Sequence, residues 1–244
     1  KTKLQMLIRG KNLVGYKPYS DEIVKAFIEK SSRNGIDVFR TFDALNDFSN
    51  IELSIKEVKK NGMHAQGAMA YTVSPVHTLN SWLDLAKQIE DAGADSVAIK
   101  DMAGLLKPNA AFELVSELKQ NISIPVHMQT HATTGFSTAT NMKAIEAGID
   151  NIDTSISSMS MTYGHTATET IVAMFDDTKI FSAIDKNLFP ELSSHFKKVR
   201  KKYELYEGSL KGVDASMLIN QVPGGMLSNL ESQLREMDAD DRFE

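Results

Sequence analysis

Cysteine is absent from the 244 residues, which excludes disulfides, thiolate nucleophiles and Cys-ligated zinc together. A reducing compartment is consistent with that absence without being required by it. Nowhere do the roughly 18 consecutive apolar residues of a membrane-spanning helix occur. The opening Lys1-Thr-Lys-Leu-Gln-Met-Leu-Ile8 lacks a signal-peptide pattern. A soluble chain is expected, with a membrane-bound partner left open. No Gly-x-Gly-x-x-Gly follows a strand-like run, which argues against a dinucleotide-binding sheet. Long runs of one charge are also missing: 27 basic residues face 32 acidic ones, for a net charge of −5. The one basic cluster, Lys197-Lys-Val-Arg-Lys-Lys202, lies on a predicted helix and reads as a solvated face rather than a phosphate or nucleic-acid patch. No nucleic-acid function is expected.

What is present is an ordinary globular composition, 42% hydrophobic and 24% charged, in a length that α/β barrels commonly use as a single unit. A repeat organises it. Helical patterns end at Asn34-Gly35, Asn61-Gly62, Ala92-Gly93, Asn121 and Ala147-Gly148, and a short apolar run follows each stop. The runs predict strands at 38–42, 65–71, 96–100, 126–129 and 152–156, after a first one at 4–8. Ser20 before Asp21-Glu22 caps the first helix, and further helices are expected over 79–92 and, started by Pro108, over 109–119. Alternating β and α elements call for a parallel sheet, doubly wound or closed into an eight-stranded barrel.

Polar residues favour the barrel, where chemistry gathers at the carboxyl ends of several strands. Arg9, Arg40 with Asp43, Gln66, Lys100 with Asp101, and His131 are placed at or near such ends. His127, Gln129 and His131 alternate along one strand and share a face. They form either a metal edge or a set of satisfied polar residues at a strand end. After Thr178 the period is lost: 183–218 reads as helices, one over about 190–206, and Gln221-Val-Pro-Gly-Gly-Met226 as a loop before a last helix at 229–236. The expected division is a (β/α) barrel at 1–182, with a TIM architecture short of its first two βα units, and a C-terminal helical funnel region at 183–244.

Five runs carry a family resemblance: Arg9-Gly-Lys-Asn-Leu-Val-Gly-Tyr16, Phe39-Arg-Thr-Phe-Asp-Ala-Leu-Asn-Asp47, Tyr71-Thr-Val-Ser-Pro-Val-His77, Ile99-Lys-Asp-Met-Ala-Gly104 and Pro223-Gly-Gly-Met-Leu-Ser-Asn-Leu-Glu231. Together they resemble the carboxyltransferase domain of biotin-dependent enzymes, the group of the oxaloacetate decarboxylase alpha subunit, pyruvate carboxylase and transcarboxylase 5S. The run from Ser155 to Glu169 looks most like the decarboxylase alpha subunit or the similar B subunit of two-subunit pyruvate carboxylases. The resemblance implies a TIM barrel with a helical funnel. It also implies a divalent metal, zinc, cobalt or manganese, held by an Asp, a carbamylated Lys at the position of Lys100, and two His, the second of them His131.

The first metal His of the family falls on Gln129, and the strand bearing the ligand Asp has no counterpart in this sequence. Four residues of strand span about 13 Å, so His127 is a poor substitute. A neutral amide oxygen holds zinc more weakly than imidazole, so a weakened, altered or empty metal site is expected. Arg9 is implied to bind the 2-oxo acid carboxylate, Tyr16 to line the biotin pocket, and metal and Arg together to stabilise the enolate. Without the resemblance, Arg9 would read as a salt-bridge partner and Lys100 as a snorkelling lysine. Asp43 and Gln66 either orient ligands or cap the barrel. Thr166, with Tyr163 and His165, is a candidate for proton transfer or a member of a hydrogen-bonded structural loop.

The implied reaction moves a carboxyl group between oxaloacetate or pyruvate and biotin, foremost as the oxaloacetate decarboxylase alpha subunit. With no Ala-Met-Lys-Met sequence in the chain, biotin must come from a separate biotinyl domain. Further implied partners are a second copy in a homodimer and membrane-embedded beta and gamma subunits, with a cytoplasmic location peripheral to the inner membrane. Three alternatives stay open: the carboxyltransferase subunit of pyruvate carboxylase, a metal-dependent aldolase-type lyase or synthase, and a non-catalytic barrel that binds a 2-oxo acid or a partner. Six strands cannot close an eight-stranded barrel, so the sequence is expected either to omit its beginning or to be completed by another copy.

Overall fold

In the computed structural model the described residues are 2–161, 163–181, 183–209 and 212–239. The expected domain limit at 182, and the outer limits at 1 and 244, lie outside them. Strand β1 (Gln5–Ile8) is followed by α1 (Asp21–Arg33), β2 (Val38–Phe42), α2 (Phe48–Lys60), β3 (His64–Ala70) and α3 (Leu79–Asp91). Then come β4 (Ser96–Asp101), α4 (Pro108–Asn121), β5 (Val126–Thr130), α5 (Ser137–Glu146) and a two-residue β6 (Asn151–Ile152). The strands lie in sequential order from β1 to β6, and the first four pair in parallel. A doubly wound sheet reverses its order at a switch point, whereas a barrel adds strands in sequence. The order therefore decides for six consecutive steps of a (β/α) barrel.

The described residues form two compact units. The first reaches from the amino terminus to Lys100 and includes Phe112–Met128 and Ile145–Asn151, while the second comprises Asp101–Ala111, Gln129–Ala144 and the chain from Ile152 on.

Helical and strand periods build the core of the first unit. In α2, Ile51, Ile55 and Val58 recur every three or four residues and are buried, as are Leu114, Val115 and Leu118 of α4. Strand residues Phe39, Ala65, Met69, Val97 and Ile99 are buried with them. Asp47 caps α2 by accepting from the Ser49 backbone N–H, and Thr78 with Ser81 forms a reciprocal capping box on α3. The recurring stops have one cause: Gly35, Gly62, Gly93 and Gly148 all take positive φ, between 71° and 99°, the left-handed turn that ends a helix cheaply only at glycine. The buried Trp82 of α3 stacks on Tyr71, centroids 5.5 Å apart, and on His77 at 5.0 Å.

In the second unit α6 (Thr168–Met174), α7 (Phe189–Lys202), α8 (Met217–Asn220) and α9 (Gly224–Glu236) follow. Two expectations are corrected here. The strand predicted over 152–156 stops at Ile152, because Ser155 bridges Ala167 instead: Ser155 N–H donates to Thr166 O at 3.0 Å and Thr168 N–H to Ser155 O at 2.8 Å. The last helix begins at Gly224 rather than 229. Its glycine is a packing residue and not a breaker, since a Cβ there would stand 3.1 Å from Thr133 Oγ1 and 3.3 Å from Tyr163 O.

Glu231 of α9 is buried and accepts from Ser209 N–H at 2.7 Å, from Tyr163 Oη at 3.3 Å and from Arg235. On α7 the lysines of the basic cluster are exposed, and Arg200 pairs with Glu207 at 2.5 Å. Among the described residues no helix is long and apolar enough to cross a membrane.

Candidate active site

Arg9 is the first residue past β1. The chain turns at once into a short 3-10 helix, Gly10–Asn12, anchored by the buried Leu13. This turn lays the Arg9 guanidinium over the exposed Tyr16 ring, 5.1 Å from its centroid, while Nη1 donates to Gly15 O at 3.2 Å. A cation on an aromatic face is held in a defined direction. Asp43, the first residue past β2, is occupied inside its own loop. Oδ2 accepts from Leu45 and Asp47 N–H at 2.8 and 3.1 Å, and Oδ1 from Asn50 Nδ2 at 2.7 Å. Asn50 Oδ1 in turn accepts from Lys11 N–H at 3.0 Å, so Asp43 is linked through one amide to the loop that carries Arg9.

Gln66 lies elsewhere than expected. It is the third residue of β3 and pairs in register with Ser96, the first of β4, which places it toward the amino end of the strands. There it is buried. Its Oε1 accepts from Arg40 Nε at 2.5 Å, and its Nε2 lies 2.9 Å from Ser96 Oγ and 3.2 Å from His127 Nδ1. His64 joins through Ser96 Oγ at 2.8 Å. Burial holds the His64 imidazole below its ordinary value, while the Asp95 carboxylate pulls the other way. Lys100, next to the last residue of β4, is 3% exposed, with Nζ 5.1 Å from the centroid of the Phe42 ring.

The second unit holds the rest. Asp101 closes β4 and is fully buried. It accepts from Leu105 N–H at 2.8 Å, Leu106 N–H at 3.0 Å and Thr130 Oγ1 at 2.9 Å. Burial pushes its carboxyl up to about 6, against the opposing pull of those donors. Its carbonyl accepts from His131 N–H at 3.0 Å, and Thr134 Oγ1 donates to Gly104 O at 2.5 Å. The run from Ile99 to Gly104 thereby shapes the loop that carries His131. Sequence reasoning noted Asp101 only as a neighbour of Lys100, yet an acidic residue ending a strand just before a loop is the usual signal for a carboxylate that caps main-chain N–H groups.

Gln129 is buried near the end of β5, and its Nε2 stands 3.4 Å from Nε2 of His131. The His165 ring meets that of His131 edge-on, centroids 5.0 Å apart at 74°, and its Nδ1 lies 3.2 Å from Thr130 O. Thr166 is buried, with Oγ1 2.6 Å from Thr138 Oγ1. Gln129 and His131 are thus brought together with His165, and Arg9 with Tyr16. Among the described residues no three His, Asp or Glu side chains are grouped to hold a metal. Of the residues expected as metal ligands, Gln129 and His131 stand together, and a neutral amide is a weaker donor to a divalent ion than imidazole.

Sequentially ordered βα steps define a (β/α) barrel domain, with Arg9, Lys100, Gln129 and His131 at or just past the carboxyl ends of their own strands. The chain belongs to the HMGL-like family, whose model matches residues 22–195. It is 50% identical over its whole length to the pyruvate carboxylase B subunit of Methanocaldococcus jannaschii, of which it covers 43%. It is 46% identical, again over its whole length, to the methylmalonyl-CoA carboxyltransferase 5S subunit of Propionibacterium freudenreichii subsp. shermanii, of which it covers 48%. The chain spans about half the length of these curated relatives. Among solved structures, the carboxyl transferase domain of Rhizobium etli pyruvate carboxylase with pyruvate and biocytin matches at TM-score 0.94 and 34% identity, over 99% of this chain and 42% of that one. These relatives are carboxyltransferase domains of biotin-dependent enzymes, the group that the sequence runs resemble.

Proposed function

We propose that the chain is the catalytic part of a biotin-dependent carboxyltransferase that moves a carboxyl group between the pyruvate and oxaloacetate pair and biotin carried on a separate biotinyl domain. The observation that carries this reading is the Arg9 guanidinium seated on Tyr16 just past β1, in a chain that matches a pyruvate- and biocytin-bound carboxyl transferase domain at TM-score 0.94. Arg9 takes the 2-oxo acid carboxylate, for which a planar fork of donors is suited. Tyr16 offers an exposed ring to biotin, and Asp43 positions the Arg9 loop through Asn50. By the family resemblance, the residues that would hold the divalent metal, zinc, cobalt or manganese, are Lys100 as a carbamate, Gln129 and His131. When bound, that ion supplies charge that stabilises an enolate.

Thr166, tied to Thr138, holds the 163–166 segment in place. Gln66 keeps Arg40 satisfied within the first unit. The 1–182 and 183–244 division is retained as barrel and funnel. The curated relatives favour the pyruvate carboxylase type. The same chemistry in reverse is that of the oxaloacetate decarboxylase alpha subunit, which the run from Ser155 to Glu169 supports as a second reading. A homodimer and a cytoplasmic location accompany either reading, and membrane-embedded beta and gamma subunits accompany the second.

The test is turnover by the full-length protein. Arg9→Ala is expected to lower kcat/KM for oxaloacetate with free biotin by about 100-fold or more, with an unchanged circular dichroism spectrum. Wild-type turnover in that variant would refute the carboxylate role.

A further inference from the structure

We propose that Asn50 of α2 is the positioning residue of the Arg9 arm: its side-chain amide locks the loop after β1 to the loop after β2 and so fixes where the guanidinium meets the substrate carboxylate. The inference rests on the carboxyltransferase reading for the identity of that carboxylate, and on the first unit alone for the geometry.

Asn50 is half-buried and uses both ends of its amide between the two loops. Oδ1 accepts from Lys11 N–H at 3.0 Å, two residues past Arg9, and Nδ2 donates to Asp43 Oδ1 at 2.7 Å. An amide suits this place because the main-chain N–H requires an acceptor and the carboxylate oxygen a donor. Asp43 is itself held by Leu45 and Asp47 N–H on Oδ2, so the amide is anchored to a fixed point.

The Arg9 loop is also pressed against α2 at this residue. Gly10 has φ +48°, and a Cβ on it would stand 2.6 Å from Asn50 O and 2.9 Å from Asn50 Cγ, so the backbone beside Arg9 meets α2 with no room for a side chain. Leu13, buried at the far end of the same turn, holds φ 53°. That conformation is unfavourable for leucine and persists only where the surroundings over-determine it. The alternative is that Asn50 only fastens α2 to these loops. Such a role would lower stability and leave substrate binding by the folded protein unchanged.

The experiment is steady-state turnover of oxaloacetate with free biotin by the full-length protein. Asn50→Ala is expected to raise KM for oxaloacetate about tenfold, the scale of one lost hydrogen bond, with kcat within about twofold. A carboxylate held alike in the ground and transition states moves KM alone. Exchanging the pair, Asp43→Asn with Asn50→Asp, leaves every donor facing an acceptor. It is expected to bring KM within about threefold of wild type, whereas Asn50→Asp alone sets two carboxylates against each other and does not. In the Arg9→Ala background, Asn50→Ala should change kcat/KM by less than about twofold, because its effect passes through Arg9.

Wild-type KM in a folded Asn50→Ala overturns the proposal, as do losses that multiply in the double variant with Arg9→Ala. If Asn50→Ala does not fold, the exchanged pair decides: a KM no better than that of Asn50→Asp alone overturns it. An enzyme that depends on Arg9 and is indifferent to Asn50 refutes only the lock, while wild-type turnover in Arg9→Ala refutes the carboxylate reading beneath it.

Discussion

In the first unit the buried polar groups answer one another through side chains, Arg40 to Gln66 and Gln66 to Ser96 and His127. In the second unit the buried carboxylates are met largely by main-chain N–H groups, Leu105 and Leu106 on Asp101 and Ser209 on Glu231. The first arrangement ties strand to strand and makes stability depend on each partner. The second orders loops, so the cost of losing a partner falls on a segment. A regular sheet uses its own N–H groups in the ladder and leaves side chains to satisfy side chains, whereas loops have main-chain donors to spare.

Replacing Gln66 by Ala is the strongest way to break this contrast. It strips the Arg40 Nε of its acceptor and is expected to lower global stability by about 3 kcal/mol, seen as a shifted urea midpoint with unchanged m-value. A double change of Arg40 to Met and Gln66 to Leu should recover much of that loss. If the single change costs nothing, the side-chain network is not what holds these strands. Glu231→Ala should cost less, about 2 kcal/mol, and locally: amide exchange at Ser209 is expected to accelerate well before global unfolding. Uniform acceleration across α2 and α3 instead would remove the distinction between the two kinds of burial.

The smallest effect concerns pH. Because burial lowers the His64 value in the fold, the unfolded chain takes up the proton more readily. The stability that His64 contributes is therefore present above its ordinary value of 6.5 and falls as the pH drops below it. Urea melts at pH 7.5 and 5.5 should show a smaller acid loss in His64→Gln than in the wild type, and equal losses would remove His64 from the account.

The regular elements were the legible part. The strand Val38–Phe42 is read to the residue because an apolar run bounded by a Gly stop and an acidic loop admits little else. Predicted helix ends at 92 and 119 against the observed Asp91 and Asn121 differ only by the fraying common at termini. What failed depended on partners distant in sequence. The residues after Ile152 keep a strand-like alternation, but the Ser155 bridge to Ala167 diverts them.

Two glycines at 224 and 225 carry the local signal of a loop, and only the proximity of Thr133 and Tyr163 reveals Gly224 as a close approach. Gln66 was put at the wrong end of its strand because register, not composition, sets position along a ladder. His165 is read as a proton-transfer candidate or a member of a structural loop, since the 33 residues between it and His131 hold no pattern that brings the two rings together.

The stacked Trp82 has a practical consequence. It is the sole tryptophan and sits in the first unit with Tyr71 and His77 around it, so emission excited beyond the tyrosine band reports on that unit alone. A fluorophore placed on an exposed residue of α9 would supply the second signal. The gap between the two denaturation curves would then measure how strongly one half of the molecule feels the melting of the other.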